Sequence, residues 1–419
     1  MQRLFCILLI ISISILVSSC GTSFNIKSIE GYEEEIRQSK IVNVTTQEVI
    51  DSLDARLTRI AWNSGVDGFG VALMNREEVL FQKGYGIANT ELKIPFTKET
   101  VIPIASISKI LAGVSLMKAV ELGKLNLEDP INQYLDFEII NPHYPNTDIL
   151  ISHIASHTST LKYTDWYEHS YIMAEKSPDY YLKYKGRLRK EWKKKTDRYN
   201  ANVDMPMDIF VKSIYTSSGK WYSEDNYLEA VPGTSFTYCN ENAALAALIM
   251  EGATGITYKD FVQQYIVDPL GMYSSSWSLS EYTAEEKGKL YEDGNPIPDY
   301  HLITYPDGGF VTSLFDFTKY FHSILRGYNG ESNMITADSY RTMMTAHFSE
   351  GSRGVGIFME LDGGLIGHTG GDPGVNTFAL FDRDSSYGYI LFFKNGFSTA
   401  MINTMIEVRK ATAHLIVQN

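Results

Sequence analysis

The sequence predicts an α+β fold in which an antiparallel sheet is assembled from both ends of the chain and the middle forms a separate helical layer. Three observations point there. Strand-like hairpins occur near the two ends, at residues 69–83 and 376–394. Two almost uniformly apolar helical segments fill the middle, at 106–122 and 240–251. The chain has 419 residues and is 44% hydrophobic, enough for a large core.

Taking the elements in order, apolar groups at Val49, Ile50, Leu53, Leu57 and Ile60 have helical spacing. Phe69–Asn75 and Glu78–Lys83 read as two strands joined by a turn at Asn75–Glu77. Ser106–Leu122 is apolar on most faces and stops at Gly123, a good helix end. Asn240–Glu251 is a second such helix, followed by Gly252 and Gly255. Asn376–Asp382 and Ser386–Lys394 form another hairpin around Arg383–Ser385, and Thr399–Val417 has helical patterning. Such elements suit a sheet closed by strands from both termini.

The first twenty residues have a different character. A positive start at Arg3, an apolar run from Leu4 to Val17 and small residues before Cys20 read as a signal peptide, too short for a membrane span. The small residues before Cys20 resemble a bacterial lipobox. That resemblance implies cleavage before Cys20, lipid on its sulfur, and an exported lipoprotein of the cell envelope held to a membrane. The alternative is an ordinary secreted protein. Cys6 leaves with the leader and Cys20 carries lipid, so Cys239 remains alone and no intrachain disulfide forms. The net charge of −13 argues against nucleic acid as a partner. One stretch departs from that balance. Residues 163–230 are rich in Tyr and Trp and carry Lys183, Lys185, Arg187, Arg189, Lys190, Lys193, Lys194 and Lys195. They read as a solvated helical insertion, or as a rim for anionic polymers or a membrane surface.

Three short stretches carry chemistry. In Ser106–Lys109, residues three apart share a helix face, so an amine sits one turn from a hydroxyl. Burial in an apolar helix is expected to lower the lysine pKa and let the neutral amine take the serine proton. The same spacing recurs at Ser115, Ser159 and Ser217, but only Ser106 opens a buried helix directly after an apolar run. Its other reading is an N-cap serine. In Tyr238–Asn240, a phenol beside a cation is a candidate base, and the amide of Asn240 suits a substrate carbonyl. A packed Tyr and an Asn cap are the alternatives. In His368–Gly371, two glycines allow close backbone approach, so that Gly371 N–H completes an oxyanion hole with that of Ser106. The alternative is a loop leading into the strand at 376.

Together, Ser106-x-x-Lys109, Tyr238-x-Asn240 and His368-Thr369-Gly370 resemble the three active-site elements of the serine β-lactamase and penicillin-binding superfamily. The branch they look like is the class C β-lactamase, D-alanyl-D-alanine carboxypeptidase, D-aminopeptidase and esterase group. The stretches 121–130, 152–158, 268–272 and 307–313 resemble that group as well. The resemblance implies a five-stranded antiparallel sheet with flanking helices, an all-helical lobe, and a site in the cleft between them. It implies an acyl-enzyme on Ser106, with Lys109 and Tyr238 moving the proton, the oxyanion on the N–H groups of Ser106 and Gly371, and Asn240, His368, Thr369 and Gly370 binding substrate. No metal or other cofactor is expected. The substrate is expected to be an amide or ester, such as a D-amino-acid peptide or muropeptide. A non-catalytic sensor or scaffold, and a true β-lactamase, are the competing expectations.

Three departures bear on this. His368 stands where the pattern commonly has Lys, which disfavours a substrate carboxylate, and the affinity of an anionic substrate is expected to fall as pH rises through the His368 pKa. Thr160 stands where the 152–158 block usually continues with Gly, and the insertion can reshape the cleft. The expected organisation is a leader at 1–19, a tether at 20–47 and one hydrolase domain at 48–415. Its α/β part covers 48–104 and 300–415, and its helical part 105–299.

Overall fold

The computed structural model describes residues 46–406, apart from 64, 332, 333, 352, 385, 397 and 398. The leader, Cys20, most of the tether and the end of the C-terminal helical pattern lie outside the described residues. The first helix, α1 (Thr46–Asn63), begins two residues before the expected domain start.

Five long strands form the centre of the sheet: β1 (Gly68–Met74), β2 (Val79–Asn89), β3 (Leu365–Asp372), β4 (Val375–Asp382) and β5 (Gly388–Phe393). Their spatial order is β3-β4-β5-β1-β2, so the two chain ends meet where β5 pairs with β1. Every neighbouring pair is antiparallel. Short strands extend the sheet beyond the expected five. Residues 94–95 add to β2, and 360–362, 353–355 and 348–350 add in succession to β3.

The sheet is buried on both faces, which is why β1, β4 and β5 read as continuous apolar runs rather than alternating ones. Side chains alternate across each strand. Phe69, Val71 and Leu73 of β1 pack with Leu53 and Leu57 of α1 and with Met401 and Ile402 of the helical residues 399–406. On the opposite face, the sheet meets the main core and helix Leu314–Tyr328. There Phe317 is fully buried, with its ring 5.7 Å from that of Phe392.

The helical lobe is built on α2 (Lys109–Glu121), α3 (Gly186–Ala201) and α4 (Glu241–Thr254). Helices α2 and α4 bury nearly every side chain, as uniformly apolar helices must. α2 ends at Leu122, and Gly123 takes φ +65°. The insertion contributes α3, helix Met207–Tyr215 and a short strand, Tyr171–Met173, that pairs with Tyr300–Leu302. Of the eight basic residues at 183–195, Arg187, Lys193 and Lys195 are ion-paired with Glu191, Asp197 and Glu292. Among the described residues, no helix is long and apolar enough to cross a membrane.

Phe317→Ala is expected to lower the unfolding free energy by about 3–5 kcal/mol through the cavity it leaves between helix and sheet. Urea denaturation checks this, and a loss below about 1 kcal/mol would contradict the packing described.

Candidate active site

The nucleophile candidate sits on a turn that the surroundings hold in an uncommon shape. Ala105–Ser108 forms one 3₁₀ turn that runs into α2. Ala105 takes φ +50°, a conformation L-residues rarely adopt. Its neighbour is fixed from both sides. Ile104 N donates to Phe310 O at 3.0 Å, and Ile104 O accepts from the Thr377 hydroxyl at 2.7 Å. Ser106 is partly exposed, while Ala105, Ile107, Ser108 and Lys109 are buried. Of the two serines in this turn, only Ser106 reaches solvent.

Lys109 is fully buried, yet its ammonium is satisfied. Nζ donates to Ser106 Oγ at 3.0 Å, Asn240 Oδ1 at 2.8 Å and the backbone carbonyl of Asp307 at 2.8 Å. Three donors thus meet three acceptors. Burial alone pulls the lysine down, but Tyr238 and the Asp307 and Asp372 carboxyls outweigh it and hold Lys109 above its ordinary value. The expectation of a lowered lysine pKa is therefore overturned. The sequence showed an apolar helix, not the acidic partners that the fold brings to its end.

Tyr238 OH donates to Ser106 Oγ at 3.2 Å, and Lys109 Nζ lies 5.2 Å from the Tyr238 ring centre. Burial pushes the phenol up, while Lys109 and Ser106 pull it back. Asn240 gives its carbonyl oxygen to Lys109, which leaves its amide N–H groups for another acceptor. A residue without an expected role positions Tyr238. His157 stacks on the phenol ring at 4.6 Å and 29°. Its Nδ1 accepts from Cys239 N at 3.4 Å and from Asn242 Nδ2 at 3.2 Å. A nitrogen that accepts from a backbone N–H carries no proton, so the imidazole is neutral. Burial and the Lys109 charge push it well below the usual histidine value. The same loop ends in Thr160, whose φ of +71° explains the glycine expected there. Threonine is tolerated because Asn141 Nδ2 donates to its hydroxyl and Leu228 N to its carbonyl.

His368, Thr369, Gly370 and Gly371 lie inside strand β3, not in a loop before it. Two glycines weaken the strand signal, but the ladder to β4 carries them. Side-chain alternation puts His368, Gly370 and Asp372 on the face that meets the nucleophile turn. A Cβ at Gly370 would stand 2.8 Å from Ile104 O and 3.1 Å from Ala105 Cβ, so only glycine allows this approach. Gly371 is exposed at the next position, and Thr369 is buried. His368 Nδ1 lies 2.6 Å from Thr369 O. A carbonyl only accepts, so Nδ1 carries the proton and Nε2 keeps its lone pair. Burial and the Lys109 charge lower His368 to about 3. It therefore does not titrate near neutrality, contrary to the expected pH-dependent affinity.

The far side of the site is acidic and comes partly from the insertion. Tyr167 OH donates to Asp307 Oδ1 at 2.7 Å, and Tyr171 OH donates to Asp372 Oδ1. Burial raises Asp307 to about 6 and Asp372 to about 7, against the pull of Lys109. Nothing in the sequence pairs these residues. Asp307 opens the 307–313 block and His157 lies in the 152–158 block, so resemblance marked both stretches without giving either residue a role.

The family model described as Beta-lactamase matches residues 53–409. Among curated relatives, the chain is 21% identical to Protein flp of Staphylococcus aureus (strain COL) over 78% of its length and 59% of the relative's. It is 26% identical to the mouse (Mus musculus) Serine beta-lactamase-like protein LACTB, mitochondrial, over 67% of its length and 58% of the relative's. The chain thus spans under two thirds of these relatives. Among solved structures, it is similar to the octameric penicillin-binding protein homologue from Pyrococcus abyssi, with TM-score 0.66 and 20% identity over 87% of this chain and 77% of that one. It is also similar to the D-amino acid amidase from Ochrobactrum anthropi SV3, with TM-score 0.65 and 18% identity over 88% and 98%. These two likenesses show the fold.

The buried, neutral His368 gives a stability prediction. Between pH 6.5 and about 3, the unfolded chain binds a proton that folded His368 refuses. Its contribution is therefore intact above pH 6.5 and lost as pH falls. From pH 7 to pH 5, the wild-type melting temperature should drop further than that of His368→Gln in scanning calorimetry. Equal drops would contradict the assignment.

Proposed function

We propose that this chain, which belongs to the β-lactamase family, is a serine hydrolase that cleaves an amide or ester through an acyl-enzyme on Ser106. One observation carries the reading: the Ser106 hydroxyl oxygen lies within 3.2 Å of both the amine one turn along its own helix and a phenol from a distant part of the chain. In the resting state, Lys109 is an ammonium and Tyr238 a neutral phenol. Loss of one proton from this pair produces the base. The Tyr238 oxygen then accepts the Ser106 proton, with the Lys109 charge stabilising the phenolate.

Ser106 Oγ bonds to the substrate carbonyl carbon, and the carbonyl electron pair moves to oxygen. The N–H groups of Ser106 and Gly371 receive that oxyanion. Its collapse breaks the bond to the leaving group, which takes its proton from Tyr238. Water, deprotonated by the same phenolate, then releases the acid and restores Ser106. Asn240 and the edge of β3 at His368, Thr369 and Gly370 hold the substrate. Among the described residues, β3 is paired on its outer side only at Leu365–Gly367, by residues 360–362. An extended substrate can therefore lie along the remainder of that edge.

A D-amino-acid peptide or muropeptide suits this arrangement, and a structural neighbour is a D-amino acid amidase. A β-lactam carboxylate suits it less, because neutral His368 supplies no charge. The exported, lipid-anchored placement belongs to the same reading and rests on the leader and Cys20. Metabolic labelling with a radioactive fatty acid should be lost in Cys20→Ser, and equal labelling of both would rule out lipid on that sulfur.

Ser106→Ala should lower kcat on a chromogenic ester or aminoacyl anilide by at least about 10³-fold, and Tyr238→Phe by about 10²–10⁴-fold. In the wild type, kcat/KM should rise from pH 6 to pH 9 without reaching a plateau, because Lys109 and Tyr238 both lie above their ordinary values and the fraction of the pair that has lost one proton grows with pH. Tyr238→Phe should flatten that rise. Undiminished turnover by Ser106→Ala would refute the assignment.

A further inference from the structure

Beside the catalytic phenol, on the side away from Asp307, lies a cavity of about 120 Å³. The rings of Tyr238, His157 and His368 form its inner wall. Phe236, Phe348 and Phe358 supply much of the apolar lining, with the Phe236 and Phe348 rings stacked at 6.1 Å. The outer wall comes from the short strands at 348–362 that extend the sheet past β3. A benzene-binding protein cavity has a volume of roughly 150 Å³, so a branched alkyl or small aryl group is of the right size.

Two acceptors face this space. His368 Nδ1–H is spent on Thr369 O, which leaves the Nε2 lone pair. Glu360, opposite Gly367 in the sheet, lines the cavity and makes no hydrogen bond or ion pair with another described residue. Its carboxyl is pushed up to about 7 by burial, against the pull of Arg353. Glu360 acts on both Tyr238 and Lys109, whereas Arg353, which also acts on Glu360, is exposed at the rim. The inner cavity therefore presents acceptors and negative charge.

Which half of the substrate enters follows from proton flow. Tyr238 returns the proton to the leaving atom, so that atom stands at the phenol oxygen and the rest of the leaving group beside the phenol ring, which walls this cavity.

We propose that this cavity is the leaving-group subsite, that it takes a small apolar group which is neutral or carries an amine, and that Glu360 is the residue that excludes a carboxylate. This rests on the hydrolase reading and deepens it. An amine donates to His368 Nε2 or pairs with Glu360, whereas a carboxylate at the same depth meets those two acceptors, and the cation of the lining, Arg353, is exposed at the rim.

The test uses three acetate esters with one acyl group: phenyl acetate, 3-(aminomethyl)phenyl acetate and 3-carboxyphenyl acetate. Rates at pH 8, each normalised to alkaline hydrolysis, are compared for the full wild-type chain, Glu360→Gln and Glu360→Lys. The wild type should favour the neutral and cationic esters over the anionic one by about tenfold or more in kcat/KM. Glu360→Gln should cut that gap to about threefold or less, and Glu360→Lys should reverse the order of the charged esters. The same selectivity in all three proteins would overturn the proposal. A second readout does not need turnover. Benzylamine should slow fluorophosphonate labelling of wild-type Ser106 more than benzoate does, and Glu360→Lys should reverse this. Labelling of Ser106 with no change in either preference sinks the subsite alone, whereas absence of both labelling and hydrolysis sinks the hydrolase reading beneath it.

Discussion

A buried ammonium holds the site together. Lys109 has no contact with solvent, and an isolated charge in that position would cost several kcal/mol. It is retained because a serine hydroxyl, an asparagine carbonyl and a backbone carbonyl meet at its three protons. Those acceptors come from residues 106, 240 and 307, so one side chain pins the nucleophile turn, the start of α4 and the segment before the strand at 311–313. Removal of any one acceptor leaves a buried donor unpaired.

The rest of the site follows from that charge. It opposes the burial that raises the Tyr238 phenol above its ordinary value. Burial, with that charge beside it, keeps His157 and His368 neutral, and their tautomers are then fixed by backbone partners. It also makes the neighbouring carboxyls of Asp307, Asp372 and Glu360 less costly to ionise. A neutral His368 and a negative Glu360 then give the two sides of the cleft their chemical preference.

Much of the architecture was legible because burial leaves a direct mark on sequence. A strand covered on both faces, such as 68–74, reads as an apolar run, and a helix covered all round, such as 241–254, has no polar face. The positions of Ser106, Lys109 and Tyr238 were legible for a different reason: each stands at the mouth of such a buried element. What stayed hidden depended on contacts between distant residues. The strand at 365–372 is weak in sequence, since Gly367, Gly370 and Gly371 earn their place only through close packing and the ladder. The sign of the Lys109 shift depends on acids far away in sequence. Tyr167 and Tyr171 looked like part of a surface insertion, and only the fold brings them against Asp307 and Asp372. Thr160 was marked by the glycine expected at its place, but the bonds from Asn141 and Leu228 that let a threonine hold φ +71° there were not legible.

Intact-protein and peptide mass spectrometry after a timed fluorophosphonate pulse tests the central claim most directly, applied to the wild type and to Lys109→Met, which fills the same space without charge. The account predicts a single adduct on Ser106 in the wild type, formed at least about 10²-fold faster than in the variant. An adduct on another residue, or equal rates on Ser106 in both proteins, would contradict it.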